Sequence, residues 1–370
     1  MNLKSVDLPL QINTGVWDTI HIQGVAVDSA REFIYYSFTT ILVKATLKGE
    51  IVGTVTGLRG HLGCIAYNEN DGMVYGSLEL KNDTIGKMVQ KNLTIDEYPV
   101  ESFHVAIFDV YKINRMNMDA FGDGLLSTVC LQTVAEDYSV GMDSTEGAEK
   151  VERAVKAVNV VKHRYGCSGI DGISFGPDFG SNDEHQYLCV AYGIYSDINR
   201  EDNDHQVILQ YNMPELANFI SRSGINDTGI PKPEKKLFVY TGNTRWGIQN
   251  LEYDSYTNSW FAAVYKGKKP HFPNFSLFSI DGSVRPEFRP LKGLGDEKGE
   301  MLSLSKDGLY DVKTGIYGYY AKYGSTGLVS LGGGYYYISH HAGIGKNQSY
   351  SEIVLYRWTG NTPCPFEIVN

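Results

Sequence analysis

A short phrase recurs five times along the chain. Each copy contains an aliphatic–small–aliphatic triplet that is followed by a turn residue. The copies are HIQGVAVD (21–28), HLGCIAYN (61–68), GIDGISFG (169–176), GIQNLEYD (247–254) and the weaker STGLVSLG (325–332). After a few turn residues each copy is followed by a second apolar run, such as FIYYSF or WFAAVYKG. Two apolar segments separated by Asn, Asp or Gly turn residues indicate a β-hairpin.

Further short strands are predicted after the hairpins. They lie at 41–47, 51–56, 104–113, 126–134, 206–211, 236–240, 352–358 and 366–369. Units of about four strands in a fixed order are typical of a β-propeller, because one twisted sheet cannot bury both of its apolar faces alone. We therefore predict an all-β, five-bladed β-propeller formed by residues 1–370 as a single domain. Residues 8–16 are expected to close the ring by joining the last blade. The alternative is an open β-sandwich.

One or two helical insertions interrupt this pattern. Residues 143–146 (DSTE) form a capping box, and apolar residues then recur at helical spacing, so a helix is predicted at about 143–165. A shorter helix is predicted at 214–221, with Pro214 near its start. Both are expected to be insertions between strands or blades.

The composition favours strands and turns, and it disfavours several classes of partner. The 26 Tyr and 40 Gly suit half-buried strands and tight turns. A net charge of −10 without a Lys/Arg-rich stripe disfavours nucleic acids and anionic membranes. No run approaches a bilayer-spanning length, and no signal peptide is recognised at the N-terminus. Five scattered cysteines without a CxxC pair indicate thiols in a reducing compartment, so a cytoplasmic location is expected.

The predicted ring directs attention to one end of its central channel. In a propeller the first strand of each blade lines the channel, so residues at the starts of the five phrases converge with residues that end the second strands. Such a polar mouth is the expected site for a small molecule or a carbohydrate. The candidate ligand-binding residues are His21, Gln23, His61, Lys81, Asp197, Arg245, Gln249, Asn250, Lys266 and His340.

Asp171 and Glu79 are the candidate catalytic residues. Asp171 lies between glycines at a strand start, where it could act as a general base or a cation ligand. Glu79 is its predicted proton-donating partner, since two carboxyl groups from different blades could hydrolyse a glycosidic bond. The alternatives are that Asp171 accepts backbone N–H bonds and that Glu79 pairs with Lys81.

His21 and His61 have the same register in adjacent blades, and with Asp171 they are the candidate metal ligands. A divalent cation, for example calcium, in the central channel is the expected cofactor, although its identity is left open. The alternative is that each imidazole bonds to exposed carbonyl groups. The acidic stretch at 197–204 has oxygen ligands at alternate positions but lacks the Gly and Glu of an EF-hand.

The chain resembles an uncharacterised bacterial family of five-bladed propellers. The resemblance rests on HIQG–SFTT, GHLG–YGSLELK and SGIDGISFGPDFG, which together cover nearly the whole length. It implies the fold and no particular activity. Arabinanase-like glycosidases, calcium-activated nucleotidases and lactonase-like propellers are similar in architecture only. Asp171 and Glu79 are the plausible counterparts of glycosidase acids, and Gln249, Asn250 and Asp171 loosely match the lactonase cation ligands.

Three functions are compatible with these residues, and the third of them is a purely structural interaction module. The first is a hydrolase of a sugar or a phosphorylated small molecule, in which Arg245 and Lys81 orient negative charge. The second is a non-catalytic propeller that binds a carbohydrate or a peptide. The rim is uneven from blade to blade, which favours one asymmetric pocket over repeated lectin-like sites.

Overall fold

The computed structural model describes residues 8–139, 163–181, 185–222, 231–344 and 348–370. Within these ranges, short sheets follow one another around a common axis and form a five-bladed β-propeller, which confirms the predicted fold class. Strand β1 (Gln11–Asn13) comes first in the chain but belongs to the last blade.

Blades I and II are built from consecutive antiparallel strands. The strands of blade I are β2 (Ile22–Val27), β3 (Phe33–Phe38), β4 (Ile41–Thr46) and β5 (Ile51–Thr56). Blade II and its connections contain β6 (His61–Tyr67), β7 (Val74–Leu80), α1 (Thr84–Leu93), β8 (Ser102–Phe108), β9 (Met118–Asp119), β10 (Leu126–Cys130) and α2 (Gln132–Ser139). The two-residue strand β9 leaves its own blade and pairs in parallel with β5, which joins the outer edges of the two blades.

Blades III and IV share an outer hairpin. Blade III contains β11 (Cys167–Gly176), β12 (Tyr187–Ile194), β13 (His205–Asn212) and β14 (Lys235–Tyr240). Blade IV and its outer connections contain β15 (Thr244–Asp254), β16 (Ser259–Lys266), β17 (Leu277–Asp281), β18 (Glu287–Pro290), β19 (Lys298–Met301), β20 (Leu309–Asp311) and β21 (Ile316–Gly318). Because β19 pairs in parallel with β14, the β18–β19 hairpin extends the sheet of blade III.

Blade V closes the ring with both ends of the chain. Its strands are β22 (Leu328–Ser330), β23 (Tyr335–Gly343), β24 (Ser349–Trp358) and β25 (Phe366–Ile368). Strand β24 pairs with β23 on one side, and on the other side it pairs with β25 and with β1, where Ile12 lies opposite Ile353. This arrangement confirms that the N-terminal segment joins the last blade.

The core lies between the faces of neighbouring blades. Phe103 of blade II packs in one apolar cluster with Ile170 and Tyr192 of blade III, and Ile248 and Trp260 of blade IV belong to the next cluster around the ring. The first strands β2, β6, β11, β15 and β22 each contact the next one in that order, and β22 contacts β2. The innermost strands therefore form a closed ring.

Several helix and strand predictions differ from the structure. The strand predicted at 126–134 ends at Cys130 and is followed by α2, because Leu131, Val134 and Tyr138 recur at helical spacing and are buried. Helix α1 was not predicted. The helix predicted at 214–221 is a turn at Met213–Leu216 followed by a 3₁₀ turn at Ala217–Phe219.

The insertion predicted at 143–165 falls mostly outside the described residues, and a 3₁₀ turn occupies Arg164–Gly166. Every helix in the described ranges is too short or too polar to cross a membrane.

Candidate functional site

A cavity of about 870 Å³ opens at one end of the central channel. It receives residues from the starts of inner strands, the ends of second strands and helix α1. The predicted site residues that line it are His21, Gln23, His61, Glu79, Lys81, Asp171, Arg245, Gln249 and Lys266. These nine residues therefore lie together at the mouth of the channel.

A shared irregularity of the inner strands brings these side chains together. Strands β2, β6, β11 and β15 each shift register against their partners close to the cavity, between residues 22 and 24, 62 and 65, 170 and 173, and 248 and 250. A β-bulge of this kind re-aims a side chain out of the alternating pattern. Gln23, Asp171 and Gln249 lie at these bulges and all reach the cavity. In blade II the matching position is Gly63, where a Cβ would lie 2.3 Å from Ser77 Oγ.

Glu79 is the centre of a buried polar group on the cavity floor. Its Oε1 accepts a hydrogen bond of 2.6 Å from the Ile170 backbone N–H, and its Oε2 lies 2.8 Å from Lys81 Nζ and 3.2 Å from His61 Nδ1. The Glu79 side chain is only 1% exposed. The pairing of Glu79 with Lys81, which the sequence left open as the alternative, is thus the arrangement found. The proton-donor role of Glu79 stays a prediction beside this pairing.

Lys81 supplies the positive charge of this group. Its ammonium also donates to the Ser168 carbonyl oxygen at 2.6 Å and lies 3.7 Å from Asp83 Oδ2. Burial acts to lower the pKa of Lys81, but the surrounding carboxylates, led by Glu79, more than offset this effect and the pKa lies above its usual value. Lys81 is therefore a permanent cation beneath the cavity.

Asp171 is the carboxyl group that faces the cavity. Its Oδ2 accepts a hydrogen bond of 2.9 Å from Gln249 Nε2, and the same amide donates to the Trp246 carbonyl oxygen. Burial and, after it, the charge of nearby Glu79 together raise the pKa of the Asp171 carboxyl to about 7, against the opposing effects of His61, Lys81 and the Gln249 hydrogen bond. Asp171 can therefore exchange a proton near neutral pH, which suits a general acid or base.

The two imidazoles of the site face one amide. Gln23 Nε2 lies 2.9 Å from His61 Nε2 and 3.4 Å from His21 Nε2, so it donates to ring nitrogens that carry no proton. His61 then donates from Nδ1 to Glu79, and His21 donates from Nδ1 to the Ile22 carbonyl oxygen. Burial lowers the pKa of His21 to about 4, which keeps this ring neutral. Gln23 thereby fixes the orientation of both rings.

The donor set does not fit the calcium ion suggested by the sequence. His61, Glu79 and Asp171 do offer ligand atoms within 4.8 Å of one another. However, Ca²⁺ takes roughly six to eight oxygen ligands, whereas this group includes an imidazole and an ammonium that already contacts Glu79. A divalent cation among them would repel the Lys81 charge at short range. His21, the third predicted ligand, is turned to Gln23.

Three predicted ligand-binding residues do not line the cavity. The Asn250 side chain lies deeper in the channel, where its amide donates to the carbonyl oxygens of Gln23 and Ser325. Asp197 is exposed on the loop after β12. His340 stacks on Tyr323, with ring centroids 3.7 Å apart, and Tyr323 itself faces the cavity. His340 therefore supports the wall from behind.

Part of the lining was missed from the sequence. Ile85 and Met88 on α1, together with Ile20, form an apolar wall. Helix α1 could have been found from its start, because Asp83 is an N-cap that accepts the Gly86 N–H at 2.8 Å. Other missed lining residues come from blades III, IV and V, namely Ser168, Tyr265, Lys268, Tyr320, Lys322 and Tyr323. Most of these lie outside the repeated phrases, which explains why the pattern did not reveal them.

Comparison with known proteins gives similarity of architecture only. No family model and no curated protein matches the sequence. Among solved structures, the chain is similar to the PQQ-bound form of an aldose sugar dehydrogenase from Streptomyces coelicolor, with 12% identity, a TM-score of 0.34, and coverage of 93% of this chain and 96% of that one.

Two further solved structures are similar at the same level. A GH43 β-1,3-galactosidase with galactodeoxynojirimycin has 11% identity and a TM-score of 0.40, with coverage of 94% of this chain and 95% of that one. The calcium structure of a Trichoderma reesei family AA12 enzyme has 11% identity and a TM-score of 0.40, with coverage of 89% and 80%. Similarity this low says nothing about what the present chain binds.

Proposed function

We propose that the cavity is the active site of a hydrolase that acts on a sugar or a phosphorylated small molecule, with Asp171 as its proton-transfer group. One observation carries this proposal. A carboxyl group with a pKa of about 7, fixed by Gln249, faces a cavity large enough for a small ligand.

The proposed step uses Asp171 as a general base. Its carboxylate takes a proton from a water molecule, and the water oxygen bonds to the reacting carbon or phosphorus atom. The bond to the leaving oxygen breaks, and this oxygen takes a proton from water at the open mouth. Asp171 then releases its proton to solvent. General base catalysis of this kind contributes roughly 10²- to 10⁴-fold in rate.

The neighbouring residues have supporting roles in this proposal. Glu79 is a positioning residue, because it contacts His61 and Lys81 and is itself enclosed. Lys81 balances the charge of Glu79 and lowers the energy of negative charge near Asp171. His61 is also a positioning residue, because its unprotonated Nε2 accepts the 2.9 Å hydrogen bond from Gln23 that holds this amide at the cavity.

Asp171→Asn tests the proposal. The substitution keeps an oxygen that can accept the Gln249 hydrogen bond, so the fold should persist while the base is lost. We expect hydrolysis to fall about 10²- to 10⁴-fold on whichever p-nitrophenyl glycoside or phosphate ester the parent protein cleaves. Asp197→Asn, in an exposed loop outside the cavity, is the matched control and should leave the rate unchanged.

Two outcomes would reject the proposal that the protein is a hydrolase. One is that the parent protein cleaves nothing across a broad panel of such esters and glycosides. The other is that Asp171→Asn retains the parent rate. Because the Lys81 ammonium would repel any divalent cation at this donor set, EDTA is expected to leave the parent rate unchanged.

A further inference from the structure

One wall of the cavity carries four cationic side chains. They are Arg245 at the start of β15, Lys266 at the end of β16, Lys268 just beyond it, and Lys322 in the loop before β22. All four are exposed, and within the described part of the chain none forms an ion pair. This clustering runs against the composition, since the whole chain has a net charge of −10.

The rest of the cavity neutralises this wall only in part, because Glu79 and Asp171 are the acidic residues that line the cavity in the described ranges. On the floor, Lys81 and Glu79 form an ion pair of 2.8 Å, so their charges largely cancel. Ile20, Ile85 and Met88 add apolar surface to the lining and carry no charge. Cations of one sign in a concave site with low-dielectric walls concentrate ions of the opposite sign. The cavity is therefore electropositive on the side of blades IV and V.

Aromatic rings line the same cavity as these cations. Tyr323 is held by stacking on His340 with an interplanar angle of 15°, and the Lys322 ammonium lies 4.8 Å from the Tyr323 ring centroid. Tyr320 is anchored by a hydrogen bond of 2.7 Å from its hydroxyl to the Pro273 carbonyl oxygen. Rigid aromatic faces beside cations suit a ligand with both an apolar ring face and an anionic group.

We infer that the substrate is anionic, and that its phosphate or carboxylate group binds to the cationic wall formed by Arg245, Lys266, Lys268 and Lys322. The reacting bond then lies over Asp171 on the floor. This inference rests on the proposed function for the reaction, but the anion-binding wall does not depend on it. It narrows the substrate class from sugars in general to sugars and small molecules that carry negative charge.

The test measures the melting temperature in inorganic phosphate, in acetate and in sodium chloride, all at equal pH and ionic strength. Sodium chloride is the reference, and acetate is the carboxylate probe. A ligand that binds only the folded protein raises the melting temperature. The variant Lys266→Gln/Lys268→Gln/Lys322→Gln removes three charges from the wall. The variant Lys48→Gln/Lys306→Gln/Lys313→Gln removes three exposed charges outside the cavity and is the matched control.

We expect phosphate to raise the melting temperature of the parent and of the control variant, and this rise to be lost in the cavity variant. An equal rise in both triple variants, or no rise in the parent with either phosphate or acetate, would overturn the inference. If phosphate acts and acetate does not, the wall binds a phosphate group. If both act through the wall, it accepts carboxylates as well.

Asp171→Asn separates this inference from the proposed function. The substitution removes negative charge from the floor, so phosphate should still raise the melting temperature of this variant. If the protein binds phosphate at the wall but hydrolyses no substrate, the anion-binding inference stands and the proposed hydrolase function is rejected. If hydrolysis depends on Asp171 but neither phosphate nor acetate raises the melting temperature, the hydrolase function stands and the anion-binding inference is rejected.

Discussion

Two carboxyl groups on the cavity floor differ because of the hydrogen bonds they receive. Glu79 contacts an ammonium, an imidazole N–H and a backbone N–H, all of which stabilise its charge. Asp171 receives a side-chain hydrogen bond from a neutral amide and lies close to the charge of Glu79. Two carboxyl groups on one cavity floor thus have different surroundings, and those of Asp171 raise its pKa to about 7.

A further carboxyl group, partly buried, lies at the opposite mouth of the channel. Glu252 faces a smaller cavity of about 300 Å³ and accepts a hydrogen bond of 2.8 Å from the Ser330 backbone N–H. Burial raises the pKa of Glu252 to about 8, from an ordinary value of 4.5. Between these two pH values the folded protein holds a proton that the unfolded chain has lost. The contribution of Glu252 to stability therefore falls as the pH rises through this window.

Glu252→Gln should remove this part of the pH dependence. The amide keeps an oxygen for the Ser330 N–H and carries no charge to desolvate. We expect the variant to gain about 1–3 kcal/mol over the parent at pH 8 relative to pH 5, measured by urea unfolding at both values. Glu50→Gln, on an exposed turn, is the control. A pH dependence identical in parent and variant would contradict the partly buried, protonated state of Glu252.

At the scale of elements, the bulges in the inner strands determine which residues face the cavity. The repeated phrase predicted that Gln23, Asp171 and Gln249 would converge, because they hold the same position in their blades. The phrase could not predict that Glu79 accepts the Ile170 backbone N–H of blade III, whereas its pairing with Lys81, two residues further along the chain, was one of the open alternatives. The cations Lys268 and Lys322 follow strand ends or loops that have no counterpart in other blades.

Closure of blade V depends on a very short strand. In β1 the side chain of Ile12 is 3% exposed and packs in the apolar cluster shared by blades V and I, whereas its neighbour Leu10 is 50% exposed. Ile12→Ala should lower the free energy of unfolding by about 2–4 kcal/mol. Leu10→Ala should change it by less than about 0.5 kcal/mol. Urea unfolding of both variants checks this, and equal effects would mean that β1 does not seal the ring.

At the scale of the whole molecule, the ring fold was predictable while its connections were not. Strand–turn–strand units repeat along the sequence and require neighbours on both faces, which led to five blades and to closure by the N-terminus. The exchange of β9 and β19 between blades depends on parallel pairing between segments far apart in the chain. Such pairing leaves no periodic pattern in the sequence.

The Asn250 side chain connects blades below the cavity. Asn250 of blade IV donates to the carbonyl oxygen of Gln23 in blade I at 2.9 Å and to that of Ser325, before blade V, at 3.0 Å. The cavity therefore has a polar floor assembled from several blades. Any function at this site depends on the ring holding these blades in one register.

The central claim is that this floor contains an aspartate that exchanges its proton near neutral pH. It is tested most directly by ¹³C NMR titration of the protein labelled at the aspartate Cγ positions, which leaves Glu252 and the other glutamates unseen. We predict one aspartate signal with a pKa of about 7 that is missing in Asp171→Asn. If every aspartate signal titrates below about pH 5, as unperturbed carboxyl groups do, the account of the site is contradicted.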